Sequence, residues 1–505
     1  MVNRRTLLRT ALATTAAACA PRGPAILRRA PRLSHGVQSG DVGGGSATVW
    51  ARGEEPGLLE IEWDTTERFA QPRRVARVEV TPATDLTGTA ELTGLPVDGR
   101  GQTIWYRIRL VRSAARGTGE WTVGRLRTPS AERVRFTWSG DTCGQGFGIN
   151  DEWGGLQGYR AMRELEPAFF VHAGDLIYAD NPILPELTLP DGKIWRNRSN
   201  PRVARVAQEL DDFRARFAYN FDDEHVCALA AEVPIVATWD DHETRNNWWP
   251  GQVLSDERYT RERSASQLAA WARQATLEWT PIRRRGANPP LHRQLSYGPL
   301  LDVFLLDLRA FRQANDANRG PRQDMLGTAQ RTWFVDAMAR SQAVWKVVVC
   351  SQPLGLLVPD GEQAQEGWAN GEGPPLGREL ELAAMLEELH RRDVRNALWL
   401  TADVHYAAAH HYDPARATGA VFSPFWELVS GPLHAGAFGP NPLDPTFGPE
   451  VRWQKAVGAG AMGAPWDGFT AFGSIELTRE ALTARQHGVE QGAAPWWTMT
   501  LPRQG

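Results

Sequence analysis

Beyond Arg133 the chain repeats one pattern: an apolar run long enough for a single buried strand, then polar residues, then a helical stretch. "RVRFTWSGD" precedes "GLQGYRAMRELEP", "AFFVHAGDLIYAD" precedes "RVAQELDDFRARFAYNF", and "VPIVATWDDHE" precedes "RERSASQLAAWARQATLEW". "LLDVFLLDLR", "VWKVVVCSQP" and "NALWLTADVHYA" are further strands of the same kind. Strands apolar on both faces are covered on both sides. Their alternation with helices predicts an α/β domain of layered αββα type over residues 131–505. The stretch "FGSIELTREALTARQHG" reads as a hairpin closing that domain on its main sheet.

Residues 33–130 have a different texture. "SATVWARG", "GLLEIEWD", "RVARVEVT", "TGTAELTGL" and "IWYRIRLV" are short alternating or β-branched runs with Gly, Pro and Asp between them. That spacing predicts a small β-sandwich of the immunoglobulin or fibronectin kind, and nothing in it points to chemistry. A chain of 505 residues has room for two or three domains and a large core. Its formal net charge of −3 gives no overall attraction to nucleic acid or an anionic membrane.

The first 32 residues read as an export signal with a linker. "NRRTLLRTALATTAAACAPRG" has paired Arg4 and Arg5, then Leu7 and Leu8, then small residues up to Cys19. This is the layout of a bacterial twin-arginine signal; the plainer alternative is a basic tail. The expected partner is then the twin-arginine export machinery. The expected destination is the periplasm, the cell surface or the medium. Cys19 is cleaved away or carries a lipid anchor, and the lipid would be the only tie to a membrane. Without Cys19 the cysteines are Cys143, Cys227 and Cys350, an odd set that argues against a disulfide framework.

The apolar runs end alike. One ends with Asp141 and Cys143, one with Asp175, Tyr178 and Asp180, one with Asp240, Asp241 and His242, one with Asp403 and His405. Sites in open α/β sheets form beyond the carboxyl ends of strands, so these groups should meet in one crevice. A lone Asp after a strand is usually a turn or cap residue, and Asp240 reads that way by itself. Several carboxylates crowded in one crevice repel and are costly to bury, and a metal cluster resolves the conflict.

Taken together, "SGDTCGQG", "HAGDLIYAD", "WDDHETRNN" and "TADVHYAA", behind a β-region opening "HGVQSGDVGGGSATVW", resemble the PhoD-type alkaline phosphatases of the calcineurin-like metallophosphoesterase superfamily. Asp175 with Tyr178 three residues later is similar to the iron-binding pattern of purple acid phosphatases. The resemblance implies metal ligands at Asp141, Asp175 (bridging), Tyr178 (a phenolate on ferric iron), Asp241, Asp403 and His405. It implies that His242 faces the substrate and stabilises charge or protonates the leaving group. It implies ferric iron with calcium. Manganese, magnesium or zinc are the alternatives.

The chain departs from the superfamily pattern where Asp403 replaces a histidine, Asp241 replaces an asparagine, and "WKVVVCSQP" offers no histidine. Carboxylates in those places suit hard cations such as calcium, magnesium or manganese better than zinc. The best-known PhoD branch places a cysteine ligand at the end of the first strand. Cys143 is therefore a candidate ligand, or else a small buried residue. Among weaker candidates, Asn246 and Asn247 either contact metal or phosphate or cap a turn. Arg245 and Arg309 either clamp phosphate oxygens or form salt bridges. His172 and Cys227 read as supporting or core residues.

The expected activity is phosphoester hydrolysis by metal-activated hydroxide attacking phosphorus in line, with a small phosphomonoester as substrate and His242, Asn246 and Arg309 as the catalytic candidates. One alternative is a phosphodiesterase acting on teichoic acid or phospholipid. Another is a non-enzymatic surface binding protein stabilised by calcium. No "GxSxG" elbow and no "GxxxxGK[ST]" loop appears in the sequence.

Overall fold

A computed structural model of the chain describes residues 29–112, 117–286, 289–490 and 494–505. The twin-arginine motif and Cys19 lie outside the described residues.

Three short parallel strands form the centre of a nine-stranded sheet. Phe170–Ala173 pairs with Val134–Ser139 on one side and Ile235–Thr238 on the other. The expected C-terminal hairpin, Ala471–Leu477 with Ala481–Gly488, does more than pack on this sheet. It hydrogen-bonds antiparallel to Val134–Ser139, and Pro495–Pro502 adds a further strand. At the other edge Leu33–Gly43 runs parallel to Ile235–Thr238, with Gly40 opposite Ile235, and continues into Ser46–Gly53 and Thr87–Thr93. The N-terminal region therefore lends three strands to the main sheet.

The remaining N-terminal strands make a five-stranded sheet around Gly57–Asp64 and Thr103–Val111, flanked by Thr122–Arg127. "RVARVEVT", expected as one strand, gives only Arg73–Arg74 and Val78–Val80. Alternation works as the pleat requires. Leu59, Ile61, Ile104, Tyr106 and Ile108 point into the core. Glu60 and Glu62 point outward to Arg109 and Arg107 at 2.6 and 2.7 Å.

A seven-stranded sheet is built on Leu301–Leu305, Trp345–Val349, Ala397–Thr401 and Phe425–Val429, all parallel. Val171 and Ala173 of the first sheet share one core with Val347, Val349, Leu398 and Leu400 of the second. On the far side of the first sheet, Phe170 meets Met162 of helix Gln157–Glu164 and Leu229 of helix Glu224–Glu232. On the far side of the second, Val348 and Trp399 meet Phe334 of helix Gly327–Arg340 and Met385 of helix Glu379–Arg391. Each such side chain contributes about 1.5–3 kcal/mol by leaving water. The helix holding Leu229 starts cleanly because the Asp223 carboxylate accepts from the backbone N–H of His225 and Val226. No helix among the described residues is long and apolar enough to cross a membrane.

Candidate metal centre

The four acidic motifs share a register. Strands ending at Ser139, Ala173, Thr238 and Thr401 each place an aspartate two residues beyond the end: Asp141, Asp175, Asp240 and Asp403. The chain turns sharply there. Asp141, Asp175 and Asp403 have φ of 66°, 55° and 71°, and His405 has 59°. Aspartate enters this left-handed region more readily than most residues; a histidine there costs on the order of 1 kcal/mol.

These turns bring side chains from both large sheets together. Asp141, Asp175 and His405 offer ligand atoms all within 4.8 Å of one another, as do Asp175, Asp241 and His242, and Asp240, Asp241 and Asp403. Asp175 links the first group to the second, and Asp241 links the second to the third. Tyr178 Oη stands 2.8 Å from His405 Nε2, and its ring centre lies 4.2 Å from that of His242. His405 Nδ1 faces the Gly436 carbonyl at 2.5 Å. A carbonyl only accepts, so Nδ1 carries the proton and the Nε2 lone pair points into the group, the orientation a metal-ligating histidine needs. Burial keeps His405 neutral, lowering its pKa to about 4.

The carboxylates are ill at ease without a cation. Burial, reinforced by neighbouring carboxylates, pushes Asp141, Asp175 and Asp403 well above the usual carboxylate range. Burial lifts Asp240 to about 6 and Glu243 to about 8. Asp241 is the exception: burial raises it, but Arg309 and His242 hold it down to about 2. Both oxygens of Asp141, Oδ2 of Asp240 and Oδ1 of Asp241 are buried without a hydrogen-bond donor. Such orphaned acceptors are rare and costly. A set of carboxylates, imidazoles and one phenol with open lone pairs fits multivalent cations.

His242 is held from two sides. Its Nδ1 lies 2.7 Å from Asp180 Oδ1, and its backbone N–H donates to Asp175 Oδ1 at 3.2 Å. Burial opposes its charge, but Asp180, Asp241 and Asp175 outweigh that and raise its pKa well above the ordinary value. Asp180 also accepts the backbone N–H of Asn246 at 3.0 Å, and Asp241 that of Asn247 at 2.6 Å. Glu243 bridges two motifs, accepting from the N–H of Leu176 and of Asp240 at 2.6 and 2.8 Å. The centre opens into a cavity of about 290 Å³ whose lining includes Asp241, His242, Asn246, Asp403, His405 and Phe438.

Two expectations change. Cys143 is buried beside Leu156, Tyr159 and Met162, outside all three groups, because the left-handed turn at Cys143 (φ 64°) directs it into the apolar cluster. Burial pushes its thiol up, the opposite of what a thiolate ligand needs. Cys143→Ala is expected to leave cation content and turnover within about twofold of the parent and to cost about 1 kcal/mol of stability. Elemental analysis and urea unfolding check this.

Arg309 is fully buried and does not line the cavity. Its Nε donates to Asp240 Oδ1 at 2.5 Å, its Nη1 to Glu366, and its Nη2 lies 3.5 Å from Asp241 Oδ1. It offsets the charge beneath the centre rather than clamping phosphate. His172 is a buried support, its Nε2 3.0 Å from Thr142 Oγ1.

The sequence reading placed Asp240 and Asp180 in the crevice but gave Asp240 no ligand role and Asp180 no bracing role, and it missed Glu243 as a brace and Glu366 as the arginine's partner. The shared register of the four aspartates would have found Asp240. Glu366, in "GEQAQEGW", carried no signal.

The profile of the PhoD-like phosphatase family matches residues 136–485, and that of the PhoD-like phosphatase N-terminal domain matches residues 18–130. A curated relative, alkaline phosphatase D of Bacillus subtilis (strain 168), is 26% identical over 439 residues, covering 80% of this chain and 70% of its own. A solved structure of PhoD has the same fold, with a TM-score of 0.71 at 19% identity over 94% of this chain and 90% of that one. These matches set aside the reading of a non-enzymatic binding protein. The catalytic-domain profile alone spans more than half of the sequence, so the chain belongs to the PhoD-like phosphatase family and is a phosphoester hydrolase.

Proposed function

We propose that this hydrolase is an exported, metal-dependent alkaline phosphatase acting on small phosphomonoesters. The observation that carries the proposal is the run of three linked ligand groups, with orphaned carboxylate oxygens, on the wall of an open cavity. Asp141, Asp175, Tyr178 and His405 would hold ferric iron. Asp240, Asp241 and Asp403 would hold calcium, as an all-oxygen set favours. When bound, the cations supply positive charge to the phosphoryl oxygens and make water acidic enough to attack phosphorus.

The chain's own residues do the rest. Asp180 holds Nδ1 of His242 and leaves the opposite ring nitrogen to protonate the departing oxygen. Asn246 lines the cavity, where its amide holds a phosphoryl oxygen. Arg309 orients Asp240 from below.

A second reading, cleavage of phosphodiesters such as teichoic acid or phospholipid, is favoured by one feature. Among the described residues no lysine or arginine lines the cavity, so a dianionic monoester meets neither an ammonium nor a guanidinium group there. We read the two sheets on a common core, with helices outside each, as the four-layer αββα arrangement. The catalytic unit would begin near residue 131, after the N-terminal β-region. Arg4 and Arg5 support export by the twin-arginine route.

The test is hydrolysis of nitrophenyl phosphate and bis(nitrophenyl) phosphate by native protein, before and after dialysis against chelator. Turnover lost on chelation and restored by iron with calcium is the expected result, and the monoester-to-diester ratio separates the two substrate readings. Turnover that survives verified metal removal overturns the metal-dependent reading.

A further inference from the structure

We propose that Gly431 is a positioning residue for the cation position formed by Asp141, Asp175 and His405, acting by leaving the space that the Asp141 carboxylate fills. The inference rests on the metal reading above and adds the element that sets its geometry.

Gly431 lies two residues beyond strand Phe425–Val429, the register at which neighbouring strands carry their aspartates. Glycine is not there for backbone freedom, since Gly431 is absent from the residues of positive φ. The reason is close approach. A Cβ at this position would stand well inside contact distance of Asp141 Oδ2. That oxygen is the end of a side chain rather than backbone. A methyl group would therefore be accommodated by moving the carboxylate, with the fold kept and the ligand lost. Both Asp141 oxygens lack a hydrogen-bond donor, and the nearest ring nitrogen, His405 Nε2, is 3.8 Å away, so the carboxylate is loosely held.

The loop that Gly431 opens ties both ends of the same cation position. The N–H of Leu433 donates to Gly140 O at 2.9 Å and that of His434 to Asp141 O at 3.0 Å. His434 O accepts the N–H of Cys143 at 2.6 Å. Further along, Gly436 O receives His405 Nδ1, and the N–H of Phe438 donates to His405 O at 3.0 Å. One segment thus sets the backbone of Asp141 and the tautomer of His405. Gly144 repeats the device on the other flank: a Cβ there would lie 2.6–2.8 Å from the Tyr178 ring.

The experiment uses Gly431→Ala, Asp141→Ala and the double variant in the full-length protein. Readouts are iron and calcium per chain, the visible phenolate-to-iron absorbance, and the urea midpoint. Gly431→Ala is expected to weaken iron retention about 10- to 100-fold, the range for supports of a metal ligand, while calcium per chain stays near parent. With Asp141 already truncated, adding Gly431→Ala should change nothing further, because the colliding oxygen is gone. Parent iron content and absorbance in Gly431→Ala overturn the proposal, and so does an equal loss of stability in both backgrounds. If the parent itself retains no iron, the metal reading fails separately. The place of Asp141 in crystal structures of parent and Gly431→Ala then decides, and an unmoved carboxylate overturns the proposal.

Discussion

Asp175→Asn is expected to lower kcat/KM by about three orders of magnitude while leaving the fold intact. Asp175 is the only residue shared by the Asp141/His405 group and the Asp241/His242 group, so losing its charge weakens both. Transition-state charge neutralisation by metal is worth several kcal/mol, and each 1.36 kcal/mol is about tenfold in rate. Asparagine keeps the carbonyl that accepts the His242 backbone N–H. Burial already favours an uncharged group at this position. The variant stripped of metal should therefore be at least as stable as the parent stripped of metal. Steady-state kinetics with urea unfolding of both metal-free proteins checks the pair of claims. Retained turnover, or a metal-free variant markedly less stable than its parent, contradicts the assignment.

Arg309→Met is expected to give the largest stability loss of any single polar substitution near the centre. The side chain is enclosed, and its removal strands Asp240, which is 1% exposed, and leaves the fully buried Glu366 with Arg312 as its remaining cationic partner. Breaking a buried ion pair from one side costs about 3–5 kcal/mol, because the remaining charges keep their desolvation penalty. Arg309→Lys restores one charge but not the planar fork that reaches three carboxylates, so it should recover only part of the loss. Denaturant midpoints on the parent and both variants measure this. A loss below about 1 kcal/mol in Arg309→Met would show that the carboxylates are neutralised by other means.

Much of this was legible in the sequence because the signals were local. A strand buried on both faces is apolar throughout, and its end is marked by the first acidic residues. "FFVHAGD" and "LWLTADVH" therefore announced both the element and a member of the acidic groups at its end. What the sequence concealed was direction and distant pairing. Cys143 and Asp141 are two residues apart, yet the turn sends one into the apolar cluster and the other into the centre. For Arg309 the choice between phosphate clamp and salt bridge stayed open because Asp240 and Glu366 are remote in sequence. The pairing of Leu33–Gly43 with Ile235–Thr238 left no mark on either stretch.

That pairing has a kinetic consequence. The nine-stranded sheet orders its members so that the first strands of the chain border one side of the central trio and the last strands border the other. The edge of Val134–Ser139 stays bare until residues near 477 have been synthesised. Contacts of such long sequence separation close slowly, and an open strand edge invites wrong partners in the meantime. Val134–Ser139 and Ala471–Leu477 must therefore both have left the ribosome before this sheet can be completed, which makes its closure a late step relative to the synthesis of its centre.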